Sequence, residues 1–343
     1  MKERNCSIDI FRLFCAFGVV SCHAEMLYDI NPLLDIAVTH IWARFTVPIF
    51  FTVAGYYYIS SLLQGKKVFG KQLKALIRVY VTWSLIYIGV SLVQNLMFGE
   101  LDLISFCKEK IFYFFTVGSQ YHLWYMVSLI YSLITVTVMY KIAGEKGIQI
   151  TAWIGFIMSM ICAFGCVYYP LGSQIPLLNK LYDWKLYQFI AEWLGMGVPY
   201  FTLGYLVYKK ENSTKRWSDK MVWSLWAGTL VLYLIEVLVI VFGVKYFERP
   251  EVLIMVYFLT GMTMMVLLRN PLPKLEKLAR FSKPLSSFVY FAHVLVLSVL
   301  EVVCSLLSLQ IHSVLRYVLV MAITLVCGHI LAKTNWKLKA YLM

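Results

Sequence analysis

Residues 7–27 read SIDIFRLFCAFGVVSCHAEML, and this stretch indicates the class of protein to which the chain belongs. A helix needs about 20 mostly apolar residues to cross a bilayer, and this run is long enough. It nevertheless contains Asp9, Arg12 and His23. Ionisable side chains are costly inside a bilayer, so each one in a spanning segment is a candidate functional residue. The stretch predicts a first membrane-spanning helix that carries chemistry.

The composition of the whole chain agrees with this prediction. The 343 residues are 61% hydrophobic and 14% charged, with a mean hydropathy of +0.73. Soluble domains are about 45–50% apolar and about 25% charged, so a bilayer must solvate much of this chain. We predict an all-α integral membrane protein of one domain, residues 1–343. Its ten spans are expected at 7–27, 42–63, 75–97, 122–140, 149–168, 189–208, 221–243, 251–268, 286–307 and 314–332.

The distribution of basic residues predicts the topology. Most of the 31 lysines and arginines lie in alternate loops, a set that includes both chain ends. Because such residues favour the cytoplasmic side, both termini are expected in the cytoplasm, with membrane lipids around the chain. The net charge of +13 is divided among short clusters between apolar runs, which argues against nucleic-acid binding. Residues 101–115 are expected to form an interfacial amphipathic helix.

Periodicity places two ionisable residues of the first span on one face. Eleven residues separate Arg12 from His23, so they lie within ~20° of each other around the helix and ~16 Å apart along it. Asp9 precedes Arg12 by three residues and is placed to pair with it. A structural alternative stays open, in which Arg12 extends to the interface and His23 is a hydrogen-bonded core residue.

Several motifs follow one another along the chain. In chain order they are Arg12-x10-His23 preceded by Ile8-Asp9, ARFTVPIFFTVAGY at 43–56, YHLWY at 121–125, Leu203-Gly204-Tyr205, and YFAH at 290–293. Together they resemble the bacterial membrane acyltransferase-3 family over nearly the whole chain. The resemblance departs from the family pattern after the last motif, where Val294 stands in place of a common proline.

The resemblance implies an activity. The family moves acyl groups, often acetyl, from coenzyme A to hydroxyls of surface glycans or lipid-linked sugars. It therefore implies acetyl-CoA or another acyl-CoA as donor and a glycan or lipid-linked sugar as acceptor. The sequence itself contains no metal-ligand cluster, so no metal is expected. His23 is the expected general base, since imidazole titrates in the required range. Arg44 is expected to stabilise charge on the carbonyl oxygen, and Arg12 with Asp9 to bind the anionic donor.

Four further residues are candidates for substrate binding. His122 and Trp124 are expected to line the donor or acceptor path, with an interfacial aromatic belt as the alternative. His293 and Glu301 are eight residues apart on one span, about 80° apart in projection, so they are expected to face one cavity.

A second function stays open at this point. Membrane-bound serine racemases carry a similar membrane domain, so a transporter or permease for a small solute such as an amino acid is the alternative. Inverted-repeat transporters have matching spans broken by Gly or Pro, and no convincing pair is found here. Glu192 and Glu236 also lie in predicted spans, where each must pair, protonate or face water. The motifs favour acyl transfer.

Overall fold

The fold is that of a computed structural model, which describes residues 5–98, 102–165, 168–182, 184, 186–244, 252–334 and 336–343. Within these ranges the regular structure is helical and contains no strand. The prediction of an all-α membrane protein is confirmed. The predicted spans 149–168 and 251–268 and the predicted interfacial helix at 101–115 extend in part onto residues outside these ranges.

Fifteen α-helices are described. They are α1 Cys6–His23, α2 Pro32–Val38, α3 Arg44–Leu63, α4 Phe69–Phe98, α5 Leu103–Phe115, α6 Trp124–Gly165, α7 Tyr169–Gly172, α8 Pro176–Tyr182, α9 Tyr187–Ile190, α10 Val198–Ser213, α11 Asp219–Leu238, α12 Ile254–Arg269, α13 Glu276–Leu306, α14 Ser313–Thr334 and α15 Trp336–Leu342. π-Helical segments cover Thr39–Ala43, Ala191–Gly197 and Val239–Val244, and 3₁₀ turns cover Thr214–Arg216 and Pro273–Leu275.

Seven of the described helical segments are long and apolar enough to cross a membrane. One of them, Trp124–Phe164, covers two predicted spans, because α6 is interrupted at Ala143 and Gly144. Gly144 has a φ of 59°, a left-handed conformation that glycine adopts at little cost. The total of ten spans and the cytoplasmic side of the termini stay predictions.

Helix α1 ends earlier than the hydropathy of residues 7–27 predicts. His23 is its last residue, Ala24 caps it, and Glu25 has a φ of 48°. A non-glycine residue in the left-handed region stops an α-helix. His23 therefore lies at the junction of a helix and a loop, where its side chain has more directions open to it.

Helices α3 and α10 touch backbone to backbone. A Cβ atom on Gly55 would lie 1.9 Å from the Phe201 carbonyl oxygen, and one on Gly204 would lie 2.2 Å from the Tyr56 nitrogen. Small residues allow such close approach between membrane helices. This contact joins two of the sequence motifs, while α1 packs against α13 and α3 beside it.

Candidate functional site

Three histidines from distant parts of the chain lie in contact. His23 ends α1, His122 lies two residues before α6, and His293 lies in the middle of α13. The ring centroids of His23 and His293 are 5.1 Å apart in a stacked arrangement, and those of His122 and His293 are 5.1 Å apart edge to face. We call these three residues the histidine cluster. The sequence singled out each one, and the fold brings them together.

The backbone of α13 sets the tautomer of His293. Its Nδ1 lies 3.1 Å from the Val289 carbonyl oxygen. A carbonyl oxygen only accepts hydrogen bonds, so Nδ1 carries the proton and Nε2 carries the lone pair in the neutral ring. Nε2 is buried and has no hydrogen-bond partner among the described residues. His293 therefore presents a proton acceptor to the cluster.

His122 is enclosed by aromatic side chains. It is 1% exposed, and within the described ranges neither ring nitrogen has a hydrogen-bond partner. The Tyr87 ring meets it edge to face at 4.9 Å, and the Tyr290 hydroxyl donates to its backbone carbonyl. Unbonded polar atoms in a buried site are uncommon and call for an explanation such as a catalytic role.

His23 is the accessible member of the cluster. It is partly exposed, whereas His122 and His293 are buried. The Tyr121 ring lies 5.0 Å from it. Burial, and after it the negative charge of Glu301, raises the pKa of Tyr121 to about 12. Glu301, itself exposed, thus acts on the ring beside His23. Of the three histidines, His23 is thus the one that solvent reaches.

The loop that follows His23 is held by α14. The Arg316 Nε donates to the Ala24 carbonyl oxygen at 3.0 Å, and its guanidinium pairs with Glu25 at 3.2 Å. The Ser313 amide donates to Asp29 at 2.6 Å. These bonds satisfy a carbonyl that the end of α1 leaves free and restrain the residues next to the histidine.

Arg44 lies at the same end of the site. It is the first residue of α3 and directly follows the π-helical segment Thr39–Ala43. π-Helical turns occur frequently at functional sites. Arg44 is close enough for its charge to act on His23, and its Nε is buried without a hydrogen-bond partner in the described part of the chain. Arg44 is thus a cation with an unused donor.

A cavity of about 410 Å³ lies further along α1. We call it the basic cavity, since Arg12 and Lys283 line it. The Arg12 Cζ lies 5.8 Å from the Phe50 ring centroid, and its Nε has no hydrogen-bond partner among the described residues. The other polar lining residues are Gln72, Ser286 and Ser287, together with tyrosines.

Tyr290 connects the basic cavity to the histidine cluster. Its side chain lines the cavity, and its ring lies 5.9 Å from His122 and 6.2 Å from His293. Tyr290 therefore borders both the basic cavity and two of the imidazoles.

Three predicted site residues lie where the structure does not test their predicted roles. Asp9 is buried in the first turn of α1, and its pairing with Arg12 stays a prediction. Trp124 packs against Phe51 at 6.1 Å between ring centroids. Glu301 is exposed on α13, so its predicted cavity shared with His293 also stays a prediction.

Sequence reasoning missed Tyr87 and Lys283 as members of the site. Tyr87 lies in the middle of a predicted span, away from the ends where aromatic belts form. This position could have marked it as a candidate site residue. Lys283 was grouped with topology-setting lysines. Among the described residues, no group of three or more His, Cys, Asp or Glu side chains is placed to hold a metal ion.

The two intramembrane glutamates found from the sequence have different environments. Glu192 lies in the π-helical segment Ala191–Gly197, where its Oε1 accepts from Gln188 at 2.9 Å. Glu236 accepts the amides of Ile254 and Met255 and so caps the start of α12. Each carboxylate therefore accepts at least one hydrogen bond inside the bundle.

The structure thus combines a helical membrane fold with a site that contains histidines and arginines. The family model described as "Acyltransferase domain" matches residues 5–333. The chain belongs to this acyltransferase-3 family, as its motifs predicted, and is a multi-pass membrane protein. The family assignment supports acyl transfer in general.

Two curated relatives carry a different name. An amino-acid racemase of Enterococcus faecalis is 26% identical over 358 residues, which cover 99% of this chain and 47% of the relative. A serine/alanine racemase of Enterococcus gallinarum is 26% identical over 180 residues, 51% of this chain and 25% of the relative. This chain thus spans less than half the length of the curated relatives it matches. No solved structure matches it.

Proposed function

We propose that this protein is an O-acyltransferase of the bacterial cell membrane. It moves an acyl group, by default acetyl, from acyl-CoA to a hydroxyl of a surface glycan or lipid-linked sugar. The observation that carries the proposal is the contact of His293 with both His23 and His122, in a family of acyltransferases, beside a cavity that Arg12 and Lys283 line.

The basic cavity is the proposed donor site. Arg12 and Lys283 provide positive charge for phosphate groups, and the unbonded Arg12 Nε fits an anionic ligand. The apolar wall, which includes Leu76 and Leu129, suits the acyl group of the donor and the uncharged arm of coenzyme A that carries it. Coenzyme A supplies the activated acyl group as a thioester when it is bound there.

The histidine cluster is the proposed reaction centre. His23 takes the proton of the acceptor hydroxyl while that oxygen forms a bond to the acyl carbonyl carbon. The carbon–sulfur bond of the donor then breaks, and the sulfur leaves with the proton that His23 returns. Arg44 stabilises the negative charge on the carbonyl oxygen, a type of contribution that is commonly large in acyl transfer. His293, stacked on His23, orients it.

Transfer of labelled acetyl from acetyl-CoA by the purified protein in lipid, with candidate glycans present, tests the proposal. We expect transfer by the wild type and a loss of about 10²–10⁴-fold in His23→Ala, the range for a general base. His312→Ala is the matched control, because His312 is an exposed histidine outside the cluster. Absence of acyl-CoA binding by the wild type would refute the proposal.

Passage of a small solute such as an amino acid is the second candidate. The observation in its favour is that the relative matching 99% of this chain is named an amino-acid racemase. Uptake of labelled serine and alanine into vesicles that contain the protein tests it. Uptake that persists in His23→Ala, without acyl transfer in the wild type, would favour this second function.

A further inference from the structure

The hydroxyl of Tyr87, on α4, forms two hydrogen bonds with the backbone of α13. The hydroxyl donates to the Phe291 carbonyl oxygen at 2.6 Å and accepts from the Leu295 amide at 3.0 Å. In an α-helix these two backbone groups, four residues apart, bond directly to each other. The phenol oxygen therefore bonds to both the acceptor and the donor of one backbone pair of the helix.

The turn to which Tyr87 bonds is the turn that carries His293. His293 lies midway between Phe291 and Leu295 in sequence. The Tyr87 hydroxyl is bonded on both sides of His293, so it is placed to restrain this turn. The bonds of Tyr87 restrain the turn from which the His293 ring leaves α13, and with it the stacking on the His23 ring.

The same tyrosine contacts a second histidine. The Tyr87 ring meets the His122 ring edge to face, with centroids 4.9 Å apart and an interplanar angle of 76°. Both ring nitrogens of His122 lack a hydrogen-bond partner among the described residues, so packing restrains that ring. Tyr87 is 2% exposed, which leaves its own ring little room to move.

We propose that Tyr87 is a positioning residue of the histidine cluster. Its hydroxyl restrains the turn of α13 at His293, and its ring sets the orientation of His122. Tyr87 acts through these two imidazoles and does not itself touch the reacting atoms. The expected effect of Tyr87 on kcat rests on the proposed function. Its effect on the position of His293 rests only on the geometry of α13.

Tyr80 provides a matched control on the same helix. It lies seven residues earlier, is 4% exposed, and donates its hydroxyl to the Phe114 carbonyl oxygen at 2.6 Å. Its ring packs on the ring of Phe114 at 4.9 Å between centroids. Replacing either tyrosine with phenylalanine removes a buried hydroxyl-to-carbonyl bond, but only Tyr87 bonds to the turn of His293.

The first experiment compares Tyr87→Phe and Tyr80→Phe in the acetyl-transfer assay. We expect kcat to fall about ten-fold or more in Tyr87→Phe with the KM for acetyl-CoA little changed, because misplaced catalytic groups slow the chemical step. Tyr80→Phe keeps kcat near the wild-type value. In a His293→Ala background, Tyr87→Phe should add no further loss, since residues that act through each other are not additive.

The second experiment does not depend on transfer activity. Diethylpyrocarbonate acylates unprotonated imidazoles, and mass spectrometry reports the rate at each histidine. We expect modification of His293 to be several-fold faster in Tyr87→Phe than in the wild type, and unchanged in Tyr80→Phe. The exposed His312 serves as internal standard in all three proteins.

The outcomes separate the two proposals. If Tyr87→Phe matches Tyr80→Phe in both experiments, the positioning role of Tyr87 is overturned. If the wild type transfers no acetyl group while His293 in Tyr87→Phe still reacts faster, the proposed function fails and the positioning of the histidine by Tyr87 stands.

Discussion

Two groups of buried ionisable side chains in this bundle differ in how completely they are hydrogen-bonded. Glu236 accepts from the Ile254 amide at 2.7 Å and the Tyr168 hydroxyl at 2.8 Å through one oxygen, and from the Met255 amide at 2.8 Å through the other. In the histidine cluster, the ring nitrogens of His122 and the Nε2 of His293 have no partner among the described residues.

This difference indicates which buried polar groups serve the fold and which serve chemistry. A carboxylate bonded through both oxygens at a helix start satisfies amides that would otherwise stay unpaired, and it complements the helix dipole. An imidazole nitrogen without a partner gains no such stabilisation and stays available to a substrate. Burial by itself, which Glu236 and the histidines share, does not distinguish the two roles.

Replacement of a cluster histidine should cost activity and leave stability nearly intact. We expect His293→Ala to lower acetyl transfer about 10²-fold or more, the range seen when a proton-transfer group is lost. Thermal unfolding in detergent should change little in His293→Gln, which leaves less empty space than the alanine variant, since His293 makes one described hydrogen bond, to a carbonyl that its own helix already pairs. A large loss of thermal stability would contradict the comparison.

Replacement of Glu236 should have the opposite effect. Glu236→Ala leaves the Ile254 and Met255 amides unpaired in a buried site, which costs about 3 kcal/mol of unfolding free energy. The activity per folded molecule is expected to survive. Unfolding followed by circular dichroism, with Glu236→Gln as a milder variant that keeps one acceptor oxygen, measures the cost. Lost activity with unchanged stability would place Glu236 with the histidines.

Arg12 should contribute to donor binding and not to the chemical step. Because Arg12→Gln removes a cation from the basic cavity, we expect the KM for acetyl-CoA to rise about ten-fold with kcat little changed, as for a charge-assisted hydrogen bond. Lys209→Gln is the control: Lys209 pairs with Glu145 at 2.8 Å, outside the cavity. An equal fall in kcat and kcat/KM would instead place Arg12 in the transition state.

Arg316 should have the smallest effect of the four. Arg316→Gln removes the bond to the Ala24 carbonyl and the ion pair with Glu25, loosening the loop next to His23. We expect kcat to fall several-fold, in line with about 1 kcal/mol for a partly exposed bond. Arg280→Gln, which breaks an exposed pair with Glu276, is the control and should leave kcat unchanged. Identical kinetics for the two variants would show that the loop needs no restraint from α14.

Local patterns predicted the helices well, because hydropathy and length act within one segment. Helical periodicity predicted one face of α1 for Arg12 and His23. In the structure Arg12 lines the basic cavity and His23 belongs to the histidine cluster. The end of α1 was predicted poorly, since residues 24–27 are apolar enough to continue a span. Contacts with Arg316 and Ser313, nearly 300 residues away, hold that loop, and no local pattern reports them.

The sequence by itself determined that the chain is a helical membrane protein of the acyltransferase-3 family and that His23, His122 and His293 are candidates. Only the tertiary structure decided that these histidines meet, that Tyr290 borders two of them and the basic cavity, and that Tyr87 bonds to the turn of His293. The physical reason is range: hydrophobic periodicity depends on neighbours within a few turns, whereas a site between helices depends on how separate helices pack.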